Sequence, residues 1–542
     1  MQMSSCNNHR PHQISMARLQ MMNIDLRKGG AALIFFLSLA GCVSQATITP
    51  AGPKPPVESA QAPLAGSRFA PVEAAIAAQH GPDYSGFNLL ERSDRALLWR
   101  LTLIDSASHS IDLQYYVWFG DALGWLMMDR VIKAADRGVK VRILFDDLNT
   151  MLHDMTHVEM RDELLSRIDR HPNVQIRIFN PWNDRSLFGR GVGMATDFKR
   201  LNRRMHNKQM VVDNRVAIIG GRNLGDEYFG LNPEFNFHDL DVLGVGPVAR
   251  QASQVFDRYW NSDWVRAIPK TAPAGAIAAE GELSRSAIKD VMGNPSLVAI
   301  DAGRTDWTLQ IDGLPGILAA GRSEVHTDSP VRDAETRNHM PDAIRALMRS
   351  AKNELLITNA YIIPDANFMA DLHELGGRGV KVRILTNSLA SHDVPAVNSH
   401  YEKWREPILA TGAQLYELRS DAEMRGELTE IAPLRAEFVG LHTKAMVIDR
   451  QRAFIGSMNL DPRSEILNSE MGVIVDSPGL AEKLAERMLR DMDEANSWQV
   501  VRADDGELRW RSSAGELTSQ PARSFSQRIQ NVIFKAFPVD LY

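Results

Sequence analysis

Cysteine is nearly missing from this 542-residue chain: Cys6 and Cys42 are the only two, so no disulfide framework can carry the fold. An excess of positive charge is also missing. With 61 Lys and Arg against 67 Asp and Glu the formal net charge is −6, which argues against coating nucleic acid through a global basic field, and no nucleic-acid partner is expected. Several signatures do not occur: a Walker loop, a kinase set, a dinucleotide fingerprint or a Gly-x-Ser-x-Gly elbow. No cysteine cluster offers a zinc site, so neither metal nor cofactor is expected. What remains is an ordinary globular composition, 44% hydrophobic and 24% charged, with length for two to four domains and cores of their own.

The apolar run Gly30 through Leu39, preceded by Arg27 and Lys28, is too short to span a bilayer and has the proportions of a signal-peptide core. It ends in Leu39-Ala40-Gly41-Cys42, which resembles the lipobox of bacterial lipoproteins. The resemblance implies a signal peptide over 1–41 and lipidation of Cys42. The mature chain would then be lipid-anchored in a bacterial cell envelope, facing the periplasm. The next segment, 42–82, is rich in Pro, Ala and Gly and reads as a flexible tether. A similar stretch opens a linker or insertion over 269–335.

These breaks leave two halves, 83–268 and 336–500, and a C-terminal extension over 501–542. The octapeptide Arg-Gly-Val-Lys-Val-Arg-Ile-Leu occurs at 137–144 and again at 378–385, which marks an internal duplication. Around each copy a helix face, a strand, a second helix and the octapeptide strand follow in the same order: Leu97, Leu98, Leu101 and Ile104 match Ile344, Leu347, Met348 and Ala351. Strands alternating with helices predict an α/β fold: two duplicated α/β/α sandwich halves with mixed, largely parallel sheets.

The chemistry lies later in each half. His206-Asn207-Lys208 is followed by Asp213, and His442-Thr443-Lys444 by Asp449, so both read His-x-Lys-x4-Asp. Residues two apart on a strand share a face, so each His and Lys should enter one cleft together. Asn223 and Asn459 each lie 17 residues after their histidine, within reach of a hairpin return. An acid follows in both halves, Asp239 and Glu470, each eight residues before a proline, Pro247 or Pro478. Each acid is expected to bind one nitrogen of its own half's histidine and fix the tautomer.

The duplicated motif with the following Gly-Gly/Ser-x-Asn resembles the phospholipase D superfamily over roughly residues 85 to 500. Asn202 to Lys208, Gly220 to Asp226, Tyr228-Phe229-Gly230 and Asn459 to Ser464 resemble its bacterial cardiolipin synthase C type. That likeness implies phosphatidyl transfer without a metal, one active site between the halves, and phospholipid substrates: phosphatidylglycerol, with phosphatidylethanolamine as a further candidate, met at a membrane surface. It also implies His206 as nucleophile and His442 as acid and base; the reverse assignment stays open.

The residues support the same class on chemical grounds. One imidazole can attack an anionic phosphorus and split a slow displacement into two steps through a phosphohistidine. The second, protonated, can serve the leaving alcohol and then deprotonate the incoming one. Lys208, Lys444, Asn223 and Asn459 would hold the non-bridging oxygens. Asp213 and Asp449 would orient neighbours, since carboxylate repels phosphate. A hydrolase acting on lipid or nucleic acid by the same mechanism, and a non-catalytic lipid-binding lipoprotein, are the alternatives. Two further features invite a membrane reading: the basic cluster Lys199, Arg200, Arg203 and Arg204, and the stripe Phe525, Ile529, Val532, Ile533 and Phe537, for which core packing is the competing use.

Overall fold

The computed structural model describes residues 49–147, 165–184, 187–268, 306–331 and 338–537. Cys42 and the apolar run before it lie outside the described residues.

The first half contributes β1 (Ser85–Leu90), β2 (Ser110–Tyr115), β3 (Lys140–Asp146), β4 (Val174–Phe179), β5 (Gln209–Val212), β6 (Val216–Gly220), β7 (Phe235–His238), β8 (Asp241–Val245) and β9 (Val265–Ala267). The second contributes β10 (Ala319–Thr327), β11 (Glu354–Asn359), β12 (Lys381–Asn387), β13 (Gln414–Leu418), β14 (Phe438–Leu441), β15 (Lys444–Ile448), β16 (Arg452–Gly456), β17 (Met471–Asp476) and β18 (Ser497–Arg502). Following the pairings outward, the first half runs β9-β4-β3-β2-β5-β6-β8-β1 and the second β18-β13-β12-β11-β15-β16-β17-β10. Every strand of these two eight-strand runs has a counterpart at the same place in the other half. β1 pairs antiparallel with β10, Ser85 opposite Gly321, so the halves share one continuous sheet. The extension lengthens it with β19 (Leu508–Ser512) and β20 (Gly515–Leu517).

The two-half α/β expectation holds, with one correction. Parallel pairing in the large sheet is confined to β2-β3-β4 and β11-β12-β13; the other pairings are antiparallel. Helical crossovers such as Ala122–Asp136 and Ala366–Gly377 serve the parallel strands. The motif strands are instead hairpins, β5-β6 and β15-β16, whose turns place Asp213 and Asn214, then Asp449 and Arg450, at φ of 51–54°. These are the hairpin returns expected after each histidine, and they add antiparallel ladders to the parallel strand–helix units.

Helices cover both faces. Leu97, Leu101, Leu123 and Met127 pack on Ile111, Leu113, Val141 and Ile143 on one side of the first half. On the other side lies a core shared by both halves: Ile219 and Val242 join Ile455 and Val473 beneath two equivalent helices. Those helices are Pro247–Trp260 and Pro478–Asp491, each opened by the proline that set the register in the sequence.

Two boundaries shift. From residue 49 onward the expected tether is docked: Ala60 N–H donates to Asp257 (2.8 Å), Lys54 pairs with Asp263 (2.6 Å), and the helix Ala70–His80 buries Val72 and Ile76 beside Phe69. Its prolines and alanines suit an extended strap that gives its backbone groups to the domain, a use that composition does not distinguish from a free linker. Likewise the expected linker ends in β10, so the second half's sheet starts at Ala319.

Candidate active site

The two motifs meet because two short parallel pairings cross between the halves. β14 pairs with β7, Leu441 opposite His238, and Met205 bridges Ser469 in the equivalent place. The chain entering each motif histidine therefore runs beside the chain entering the other half's acid. His206 N–H donates to the Ser469 carbonyl (2.8 Å) and His442 N–H to the His238 carbonyl (2.9 Å). One residue further on, the side chains meet. His206 Nδ1 lies 2.8 Å from Glu470 Oε2, and His442 Nδ1 lies 2.6 Å from Asp239 Oδ2. The acids do fix the histidines, but each is exchanged between halves; the expectation that each serves its own half is corrected. Sequence proximity favoured the same-half pairing, whereas strand direction carries each acid across the pseudo-twofold.

The halves hold these acids by different means. A Cβ at Gly221 would come within 2.1 Å of Asp239 Oδ1, so the glycine makes room for that carboxylate. At the matching position Ser457 Oγ donates to Glu470 Oε2 (2.5 Å).

Lys208 and Lys444 are buried, and each Nζ donates to the carbonyl of the histidine two residues before it, Lys208 at 2.7 Å. Lys208 Nζ lies 5.3 Å from the Tyr116 ring centre and Lys444 Nζ 5.9 Å from that of Tyr361. Tyr116 sets its edge against the His206 ring at 4.9 Å, and Tyr228 against His442 at 5.2 Å. The exchanged pairs His206–Glu470 and His442–Asp239, with Lys208 and Lys444 buried beside their histidines, bring the two motifs to one seam between the halves. Tyr116 and Tyr361 escape sequence reasoning; their signal was position, just past the ends of β2 and β11. Asn223 accepts from Val117 N–H (3.3 Å) and donates to the Tyr228 hydroxyl (3.0 Å). Asn459 is buried, and among the described residues its Oδ1 has no hydrogen-bond partner, which leaves a polar atom for whatever enters the cleft.

Burial dominates the electrostatics. It pushes His206 well below the usual imidazole value, reinforced by Lys208 and Lys444. His442 is also lowered by burial and Lys444, but Asp239 opposes the shift. Burial would raise Asp239, yet His442, Lys444 and Arg222 together bring it below the usual carboxylate value, whereas burial lifts Glu470 to about 7 against the pull of Lys208. The dyads are therefore set differently: Asp239 is held ionised and opposes the fall at His442, whereas His206 is driven well below its usual value beside a Glu470 that burial lifts to about 7. Burial also lowers Lys208 to about 7 and Lys444 to about 8, so both gain greatly from an anion.

The motif aspartates do not join the site, which corrects their place among the catalytic residues. They sit at the far ends of β5 and β15, about 15 Å along the strand from the lysines. Asp213 accepts from Ser67 Oγ (2.8 Å) and from the backbone of Ser108, His109 and Ser110; Asp449 accepts from the backbone of Lys352, Asn353 and Glu354. Each ties the start of a central strand to the motif hairpin. The basic cluster is corrected too. Arg200 is buried on Asp197 and Asn180, and Arg204 on Asp146, so only Lys199 is openly exposed.

Among the described residues, Glu91, His238 and Asp491 are grouped closely enough to hold a cation. Their charge is already met from within: His238 Nε2 lies 2.8 Å from Asp491, and Arg487 and Arg490 pair with Glu91. The triad braces the strand end before Asp239.

With this geometry in view, comparison with known proteins is specific. The family model described as "Cardiolipin synthase, PLD-like domain" matches residues 101–260 and 344–492, one stretch in each half. Cardiolipin synthase C of Escherichia coli (strain K12) is 36% identical over 482 residues, 87% of this chain and 99% of that protein. The major cardiolipin synthase ClsA of Bacillus subtilis (strain 168) is 25% identical over 72% of this chain and 66% of its own length. Among solved structures, phosphatidylserine synthase from Haemophilus influenzae Rd KW20 superposes with a TM-score of 0.52 at 14% identity, over 78% of this chain and 91% of that one; the likeness is one of fold.

Proposed function

The chain belongs to the cardiolipin synthase, phospholipase D-like family and is a phosphatidyltransferase of that superfamily; we propose that it forms cardiolipin through a phosphohistidine at His206. The observation that carries this reading is the unequal setting of the two dyads. Glu470 holds Nδ1 of a neutral His206, leaving the Nε2 lone pair to attack the phosphorus of a donor lipid. His442, protonated for this step with ionised Asp239 offsetting part of the cost, gives its Nε2 proton to the departing alcohol. The neutral His442 then takes the proton of an incoming lipid hydroxyl; that oxygen bonds to phosphorus, the P–N bond breaks, and His206 is restored. Lys208 and Lys444, costly to keep charged without an anion, bind the non-bridging oxygens most strongly as charge builds in the transition state.

Phosphatidylglycerol fits as donor and acceptor, phosphatidylethanolamine as a second lipid. Acylation of Cys42 would hold the enzyme on an envelope membrane, facing the periplasm. The test is product identification after incubating purified protein with labelled phosphatidylglycerol, with and without phosphatidylethanolamine. Cardiolipin supports the proposal. Phosphatidate alone would make the protein a hydrolase, and no product would make it a lipid-binding protein.

A further inference from the structure

The helix Phe525–Phe534 is packed the wrong way round for a soluble domain. Its buried residues are Gln527 and Asn531. Its apolar stripe faces outward: Phe525 is 77% exposed, Val532 64% and Ile533 55%, with Ile529 and Phe537 also open. The inward polar face is fully used. Gln527 Nε2 donates to the Leu389 carbonyl (2.5 Å), Asn531 Nδ2 to Glu402 (2.9 Å), and Asn531 Oδ1 accepts from Asn398 (2.8 Å). Hydrogen bonds thus fix the helix in an orientation that holds its apolar side in water. That costs free energy unless something covers it.

Two features identify the cover. From Thr518 through Phe537 the chain has no carboxylate but carries Arg523, Arg528 and Lys535, on a protein whose net charge is −6. Lys535 is ion-paired with Glu402 on the inward side, so Arg523 and Arg528 are the cations that border the stripe; with no acid in its own segment it suits an anionic lipid surface. The second feature is position. Arg523 donates to the Ala390 carbonyl, and its guanidinium lies 3.5 Å from the ring centre of Phe438, the first residue of β14, which leads into His442. The same 389–402 segment carries Asp393, which accepts from the hydroxyl of Tyr361 (2.7 Å), the tyrosine beside Lys444. The helix is therefore tied to the His442 side of the cleft by two routes.

We propose that the outward face of Phe525–Phe537 docks on an anionic phospholipid bilayer and sets the active-site mouth against it. Bilayer binding stands on the helix alone; its consequence for turnover rests on the lipid-transfer reading above. The test uses the full-length protein, wild type and the surface variant Ile529→Gln/Val532→Gln/Ile533→Gln, with phosphatidylglycerol–phosphatidylethanolamine vesicles carrying a photoreactive acyl chain. Lipid adducts should map to 525–537 in the wild type and be lost in the variant, with an unchanged melting curve. Turnover of vesicle lipid should fall roughly tenfold or more, because binding scales with buried apolar area, while turnover of a soluble short-chain phosphatidylglycerol stays the same. Adducts that spare this helix would overturn the proposal. So would concentration-dependent dimerisation lost in the variant without a change in lipid labelling, since the cover would then be a second copy. If the wild type labels on this helix but turns over neither lipid, docking stands and the transfer reading fails.

Discussion

His206 Nδ1 and Glu470 Oε2, 264 residues apart in the chain, lie 2.8 Å from one another, and the reciprocal pair His442–Asp239 closes at 2.6 Å. Each half thus orients its motif histidine through an acid of the other half, so the two duplicated units build one site together. Glu470→Gln and Asp239→Asn should each lower turnover about 10²- to 10⁴-fold with the fold intact, as loss of an orienting carboxylate does. The defects should differ in kind. A donor lipid with a p-nitrophenol leaving group needs little protonation, so it should rescue Asp239→Asn but not Glu470→Gln; equal rescue would show that the acids are not divided between the two steps.

The histidines should separate in the same way. With donor labelled in the phosphatidyl group, acid-quenched wild type should carry label on His206, and His206→Ala should carry none and be inactive. His442→Ala, given the p-nitrophenol donor, should accumulate label because nothing deprotonates the acceptor. Label on His442 instead would reverse the two roles.

Much of this was legible because duplication doubles every signal: paired octapeptides, paired motifs and prolines at equal distance from Asp239 and Glu470 fixed the halves and the register. The exchange of acids was not, because a sequence gives separation along the chain and not which strand end faces which. The role of Asp213 was half legible. Its charge argued against contact with phosphate, but only the hairpin shows it receiving the backbone of Ser108 to Ser110. The stripe at Phe525–Phe537 had the right period for a packed helix, and its outward orientation follows from Gln527 and Asn531, whose partners lie more than 100 residues away.

Asp213→Ala should destabilise the protein far more than it impairs chemistry. It strands the Ser110 N–H and the Ser67 hydroxyl in a buried place and releases the more open N–H groups of Ser108 and His109, so a loss of about 2 kcal/mol is expected. At a temperature where the variant is folded, kcat should stay within a few-fold of wild type. A collapse of kcat with an unchanged melting temperature would return Asp213 to the catalytic group.

Lys208 should trade stability for function in a pH-dependent way. Its folded value, about 7, lies below the ordinary 10.5, so between those limits the unfolded chain binds more protons and stability rises with pH. The cost of the lysine is thus absent above about 10.5, grows as pH falls from there to about 7, and is at its full value below that. Lys208→Met removes that cost. The variant should melt higher than wild type at pH 6 by more than it does at pH 9.5, and phosphatidyl transfer should fall about 10²- to 10³-fold, the usual loss for one transition-state charge donor. Melting curves of both proteins at the two pH values, with turnover at pH 7, decide the matter. A variant less stable at pH 6 than wild type would mean that Lys208 is an ion-pair strut; one with full activity would mean that it never meets the phosphate.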